Sequence, residues 1–237
     1  MLHYLQRHPF AVRATFRHSL VLTYALPSSR LAPLLPPGLR LDLWNGWAFL
    51  AIALVDTAAL RPAFLPALCG ANFFLAGYRI FVRHGQSLRG LRVLRSYANR
   101  RFMVHAGNLL TRYNYHPCQS HLAASPSTLN VTFTAPGADL AVTAHLDRPE
   151  LPPSSPFPDL PTARRFAGPM PYTFDYEAQT HSLVQIRGVR THWDLRPVAV
   201  DVHRAAFLDP YPEARLANAF YVHDTAYRWE KGTVLPL

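Results

Sequence analysis

The chain has 237 residues, 49% hydrophobic and 16% charged, a balance that excludes a disordered polyelectrolyte and allows one sizeable core. Its formal net charge is +10, yet only one of its 24 basic residues, Lys231, is a lysine. Such replacement of lysine by arginine reads as compositional bias. The arginines recur along the chain without forming a basic tail, which disfavours nucleic acid or an acidic membrane as partner. A small anionic molecule fits the same charge with fewer assumptions.

The pattern along the chain is mostly of period two. Residues 1–10 carry charges and histidines but no apolar signal-peptide core. A strand is expected over 15–25, followed by a helical turn capped at Pro27-Ser28-Ser29 and stopped by Pro36 and Pro37. Residues 39–43 read as a strand, Asn45-Gly46 as a hairpin turn, and a second strand starts at Trp47. The apolar run from Trp47 to Val55 is too short to span a bilayer and ends in Asp56. These features set the expectation of a soluble, cytoplasmic protein. A proline-broken loop over 61–69 precedes a long strand over 72–84, a turn at Gly85-Gln86 and a return strand over 88–97.

Residues 99–110 form the best helix candidate, with Asn99 as N-cap and Phe102, Met103, Ala106, Leu109 and Leu110 at helical spacing. Strands are expected over 111–124, 128–135 and 140–146, with Pro136-Gly137 as a turn. Six prolines between 148 and 161 mark a long surface loop leading to a short helix over 162–167. Strands over 172–178, 183–190, 198–207 and 217–229 complete the pattern. Cys69 and Cys118 lack ligand spacing and read as reduced, buried small residues. The expectation is a mainly β, α+β chain, one domain over 1–237, with a curled antiparallel sheet or barrel and a few short peripheral helices.

Four segments together resemble a known family. They are Leu34-Leu35-Pro36-Pro37-Gly38-Leu39-Arg40-Leu41-Asp42 followed by Gly46-Trp47-Ala48; Arg79-Ile80-Phe81-Val82; His192-Trp193-Asp194-Leu195; and Ala219-Phe220-Tyr221-Val222-His223-Asp224 with Trp229. In this order and spacing they resemble the YqjF-like family, a domain of unknown function in the acetoacetate decarboxylase-like superfamily, over about 20–229. The resemblance implies a closed or cone-shaped antiparallel barrel around a pocket. It also exposes departures. Leu75 and Gly77 stand where the family shows glutamate and asparagine, and Asn108 stands where it shows an arginine. By its spacing after the helix, Tyr115 resembles in position the Schiff-base lysine of acetoacetate decarboxylase. A Schiff base needs a primary amine, and Lys231 lies in a polar context near the C-terminus, so iminium decarboxylation is not expected.

Arg79 is the first candidate for a substrate-binding residue, because it shares a strand face with Phe73, Leu75, Gly77 and Phe81. A buried arginine needs a partner: a substrate carboxylate, or an internal acid such as Asp42, Asp175 or Glu177. Arg92 and Arg95 lie on the return strand and cannot both face inward unless a bulge, for instance at Gly90, intervenes. Tyr115 and His116 are catalytic candidates as a general acid and base, against the alternative of a buried tyrosine and a half-exposed histidine. Asn108, Tyr113 and His192 complete the substrate-binding candidates. No metal-ligand motif, phosphate loop or nucleophile elbow appears, and neither metal nor cofactor is expected.

The sequence thus supports an interior pocket for a small carboxylate or keto acid. Acid–base catalysis there, a non-catalytic binding protein, and a basic nucleic-acid module stay as alternatives. The aromatic terminal strand could close a barrel or pair with a second copy, which leaves a homo-oligomer open.

Overall fold

The computed structural model describes residues 2–237 except 169, 191 and 193. The strands are β1 Val12–Pro27, β2 Leu39–Leu41, β3 Trp47–Pro62, β4 Ala71–His84, β5 Leu88–Ala98, β6 Tyr115–Pro117, β7 Gln119–Ala124, β8 Thr128–Thr134 and β9 Leu140–His145. They continue as β10 Tyr172–Glu177, β11 Ser182–Arg190, β12 Arg196–Pro197, β13 Ala199–Ala205, β14 Arg215–Trp229 and β15 Thr233–Pro236. The α-helices are α1 Leu2–Leu5, α2 Ser28–Leu31, α3 Arg101–Leu110 and α4 Leu160–Ala167. Among the described residues no helix is long and apolar enough to cross a membrane.

The main sheet is strongly curled. Its ladder runs β14-β1-β3-β4-β5-β10-β11, and residues 188–190 of β11 then pair with 227–229 of β14, so the pairings return to their start. The expected curled sheet is therefore present, and its pairings form a ring of seven strands, antiparallel except where β10 runs parallel to β5. Register shifts in β1 at Phe16/His18 and in β3 at Thr57/Leu60 raise the local twist, which helps so long a sheet to coil. The terminal aromatic strand closes the ring by pairing with both β1 and β11.

Alternation divides the two faces. Leu20, Leu22, Leu50, Ile52, Phe74 and Tyr78 point outward and pack beneath a second sheet, β13-β9-β8-β7, through Leu129, Val131, Phe133, Leu140 and Val142. Val21, Ala51, Ala53, Val55, Phe73 and Leu75 point into the ring. Burial on both faces explains why β3 reads as a continuous apolar run. One end of the ring is closed by α4 and its preceding loop, where Phe157, Phe166 and Met170 pack on Phe49, Phe81 and Phe220. At the other end α3 lays Met103 against Phe73, Leu75 and Ala98.

Asp42 braces this scaffold. It is fully buried and accepts from Arg83 Nε and Arg89 Nε, each at 2.6 Å. Arg89 also donates to the carbonyl of Phe166 at 2.8 Å, tying the sheet to α4.

Several expectations are corrected. Asn45 and Gly46 do turn, with φ of 47° and 83°, and Trp44 and Trp47 exchange backbone hydrogen bonds. However, β2 pairs with β4 instead of β3, because β4 runs past the last β3 pair, Leu50–Ile80, and leaves that edge open. Helix α3 starts at Arg101, since the Asn99 side chain accepts from Phe74 N and donates to Ser120 Oγ. The single strand expected over 111–124 is split between the two sheets, with β6 on the large one and β7 on the small one. The short strands β12 and β15 and the first helix were not legible in the sequence, and the cysteines expected to be buried are exposed at Cys69 and half-buried at Cys118.

Gly90 makes no bulge; it permits a close approach. A Cβ there would lie 2.6 Å from the Tyr172 carbonyl oxygen, so β10 would have to move. Gly90→Ala is expected to cost about 1–3 kcal/mol by overpacking. An unchanged denaturation midpoint would contradict this.

Candidate functional site

The ring encloses a cavity of about 400 Å³ between α3 and the α4 plug. Strand β4 crosses it in order: Phe73 and Leu75 lie under α3, Arg79 in the middle, and Phe81 against the plug. Among the described residues the lining holds Arg61, Arg79 and Arg190 but no aspartate or glutamate.

Arg79 has the chemistry that stands out. A Cβ on Gly77 would lie 3.1 Å from its Nε and 3.2 Å from Nη2, so the absent side chain gives the guanidinium room along the strand. Arg79 makes no hydrogen bond or ion pair with any described residue, and its Nε is buried without a partner. Burial pushes its pKa down, with Tyr227, Tyr113 and Tyr115 acting against this and Arg190 adding to it. A guanidinium remains cationic even so.

Two of the internal acids considered as its partners, Asp42 and Glu177, are engaged elsewhere, and the third, Asp175, makes no ion pair with it. Asp42 serves Arg83 and Arg89. Glu177 accepts from Arg7, Arg112 and Thr180. Burial opposes its charge, but these hydrogen bonds outweigh burial and hold the carboxyl at about 2. Asp175 is buried beside Arg92 and Arg112; burial raises its carboxyl to about 7, with the two arginines pulling the other way.

Tyr113 and Tyr115 both line the cavity from the segment after α3. Burial raises the Tyr113 hydroxyl well above its usual value, and that hydroxyl, near Thr173, makes no well-formed hydrogen bond. Burial likewise raises Tyr115, to about 12, although Arg79 draws it down. Asn108 explains how Tyr115 is held. Its Oδ1 accepts from Tyr115 N at 2.7 Å and its Nδ2 donates to Tyr115 O at 2.9 Å. Gly107 leaves space for the ring, since a Cβ there would lie 2.4 Å from it.

The remaining candidates lie elsewhere. Asn108 is exposed and outside the lining, and its side chain bonds the Tyr115 backbone. His116 follows Tyr115 on a strand and points the other way, bonding Asn114 Oδ1 at 3.0 Å, so the acid–base pair is not assembled. Leu91 and Val93 take the inward positions of β5, which turns Arg92 away toward Asp175. The extra residue at Leu94, not Gly90, forms the bulge; Arg95 then lies outside the lining and donates to Tyr97 Oη at 3.1 Å. His192 is exposed, and its neighbour Trp193 lies outside the described residues. Lys231 is exposed and not part of the lining.

Sequence reasoning missed Ser96, Thr173, Arg190 and Tyr227 as lining residues. Arg190 donates to the Met170 carbonyl at 3.0 Å and stands over Tyr227 with its carbon 5.3 Å from the ring centre. Both belong to the β11–β14 seam that closes the ring, a pairing distant in sequence. The aromatic run into Trp229 was the only available signal.

Residues 13–227 match the model of the family DUF2071, described as an uncharacterized conserved protein (COG2071). No curated protein matches the chain. Among solved structures it is similar to an acetoacetate decarboxylase-like enzyme from Sphingomonas wittichii RW1, at 15% identity and a TM-score of 0.65, covering 98% of this chain and 95% of that one. It is similar to acetoacetate decarboxylase from Legionella pneumophila subsp. pneumophila str. Philadelphia 1, at 14% identity and a TM-score of 0.61, covering 96% and 88%. It is also similar to the enduracididine biosynthesis enzyme MppR complexed with pyruvate, at 11% identity and a TM-score of 0.65, covering 95% and 90%. These likenesses establish an acetoacetate decarboxylase-like fold.

Proposed function

The chain belongs to the DUF2071 family and has an acetoacetate decarboxylase-like fold, and from that premise we propose that its cavity binds a small organic carboxylate or keto acid through Arg79, with no Schiff base. One observation carries the reading: a buried guanidinium faces an acid-free cavity while Asp42 and Glu177 are committed to other arginines. A carboxylate would supply the missing partner through charge-assisted, bidentate hydrogen bonds. The hydroxyls of Tyr113 and Tyr115 stay protonated and serve as donors to the remaining ligand oxygens. The neighbour complexed with pyruvate supports a keto-acid headgroup.

Binding is favoured over proton abstraction. The tyrosines are too weakly acidic to supply a base near pH 7. Burial pushes the lining imidazole of His8 down to about 4, which makes it a poor base. Lys231 offers no amine to the cavity, so an iminium step has no nucleophile there.

Melting temperature with and without pyruvate tests the reading, in wild type and Arg79→Met. Ligand at a hundred times its Kd stabilises by about 2.7 kcal/mol, which raises Tm by about 5–10 °C at this size. The wild type is expected to respond and the variant not. Equal responses, or a borohydride-trapped adduct at Lys231, would overturn the proposal.

A further inference from the structure

The lining says more about the ligand than its head. Around Arg79 the wall toward the opening is apolar: Val55, Leu60, Phe73, Leu75, Met103 and Leu110. Phe102 and Cys69 line the cavity and are exposed, so they mark where it opens. That rim continues as exposed apolar surface. Leu68 is 87% and Phe64 72% exposed, and the Phe64 ring meets the cavity-lining Phe10 edge-on at 5.8 Å. One end of the space is therefore cationic and hydroxyl-lined, and the wall toward the rim is mainly hydrocarbon, with His8, Thr57, Arg61 and Thr111 as its polar members.

A cavity of about 400 Å³ is in the range that takes a drug-sized ligand, about 300–1,000 Å³. A three-carbon keto acid on Arg79 would leave most of the apolar wall without contact, forfeiting its dispersion energy. We infer that the ligand is an amphipathic carboxylate, its head on Arg79 and an aliphatic or aryl tail running under α3 toward Phe102. This rests on the Arg79 reading and deepens it from the anion to the class of acid.

The test is calorimetric titration of wild type, Arg79→Met and Ala106→Trp with butanoate, hexanoate, octanoate and octan-1-ol. Ala106 lines the cavity from α3, so tryptophan there fills the tail region and leaves the head region free. In wild type each methylene is expected to tighten binding about fourfold, from the value of a buried CH2. Butanoate to octanoate, four methylenes apart, then spans about 250-fold. Ala106→Trp, checked for an unchanged fold by its melting transition, is expected to lose octanoate tenfold or more while keeping butanoate. Wild-type affinity that is flat with chain length overturns the tail, whatever Ala106→Trp does. If Arg79→Met still abolishes butanoate binding in that case, the head assignment stands alone. Chain-length dependence kept in full by Arg79→Met, with octanoate and octan-1-ol bound alike in wild type, overturns the head assignment and with it this proposal.

Discussion

Arg79→Met is expected to make the ligand-free protein more stable while removing its response to carboxylates. Stability usually falls when a buried polar partner is deleted, because the other partner is left unpaired. Here no described residue is left behind, since Arg79 has no hydrogen bond or ion pair to lose. What the substitution removes is a desolvated cation repelled by Arg190. What it adds is an apolar side chain among Phe73, Leu75 and Phe81. Replacing buried ion pairs by well-packed apolar groups has stabilised proteins by about 1–4 kcal/mol, and a methionine that cannot fill the cavity beside it places this case in the lower half. At this chain length that is a rise of about 2–10 °C in Tm. A gain in stability coupled to lost binding is the signature of a group kept for function. If Arg79→Met instead melts well below wild type, the guanidinium is a structural element.

The second large effect concerns Asp175. It is 2% exposed, and its carboxyl is raised from 3.8 to about 7, burial being the cause that Arg92 and Arg112 only partly offset. The native state therefore holds this proton more tightly than the unfolded chain does. The contribution to stability is full below about pH 4 and is lost as pH rises through about 7, a total of up to about 4 kcal/mol. Tyr113 and Tyr115, the other titratable groups near it, do not ionise in that window. Glu177 acts in a separate range: held at about 2, it withdraws its contribution only as pH falls below 4.5. Relative to wild type, Asp175→Asn should thus gain stability between pH 4 and 7 and be the more stable of the two at pH 8. Urea denaturation at pH 5 and pH 8 measures both slopes. His8, lowered to about 4, gains stability with rising pH over the same window, so the test is the difference between wild type and variant. A difference that is the same at pH 5 and pH 8 would show that Asp175 ionises freely in the fold.

The inner face of β4 could be read from alternation alone, because one residue in two faces the ring and the neighbours of Arg79 are apolar. The position of Tyr115 came from the family resemblance, and the structure shows Asn108 holding its backbone at two points. The same parity that makes Tyr115 inward makes His116 outward, so treating adjacent strand residues as a pair was a failure of period, not of residue choice. Arg92 was harder. A one-residue bulge at Leu94 changes which side chains face inward, and nothing in the local sequence marks it. Asp42 was legible as architecture, but its two arginines come from β4 and β5, which only the folded sheet brings together. Arg190 and Tyr227 meet across the seam that closes the ring, and long-range pairing of this kind leaves no short-range signal. Gly77 was noted as a departure from the family pattern, and its meaning became clear only from the guanidinium lying over it.

The most direct measurement is a crystal structure of the protein grown with octanoate. The account predicts a carboxylate with both oxygens within hydrogen-bonding distance of the Arg79 guanidinium, a tyrosine hydroxyl of residue 113 or 115 beside it, and the chain pointing toward Phe102. Octanoate seated with its carboxylate at Arg61 or outside the ring, leaving Arg79 without a ligand, would contradict it.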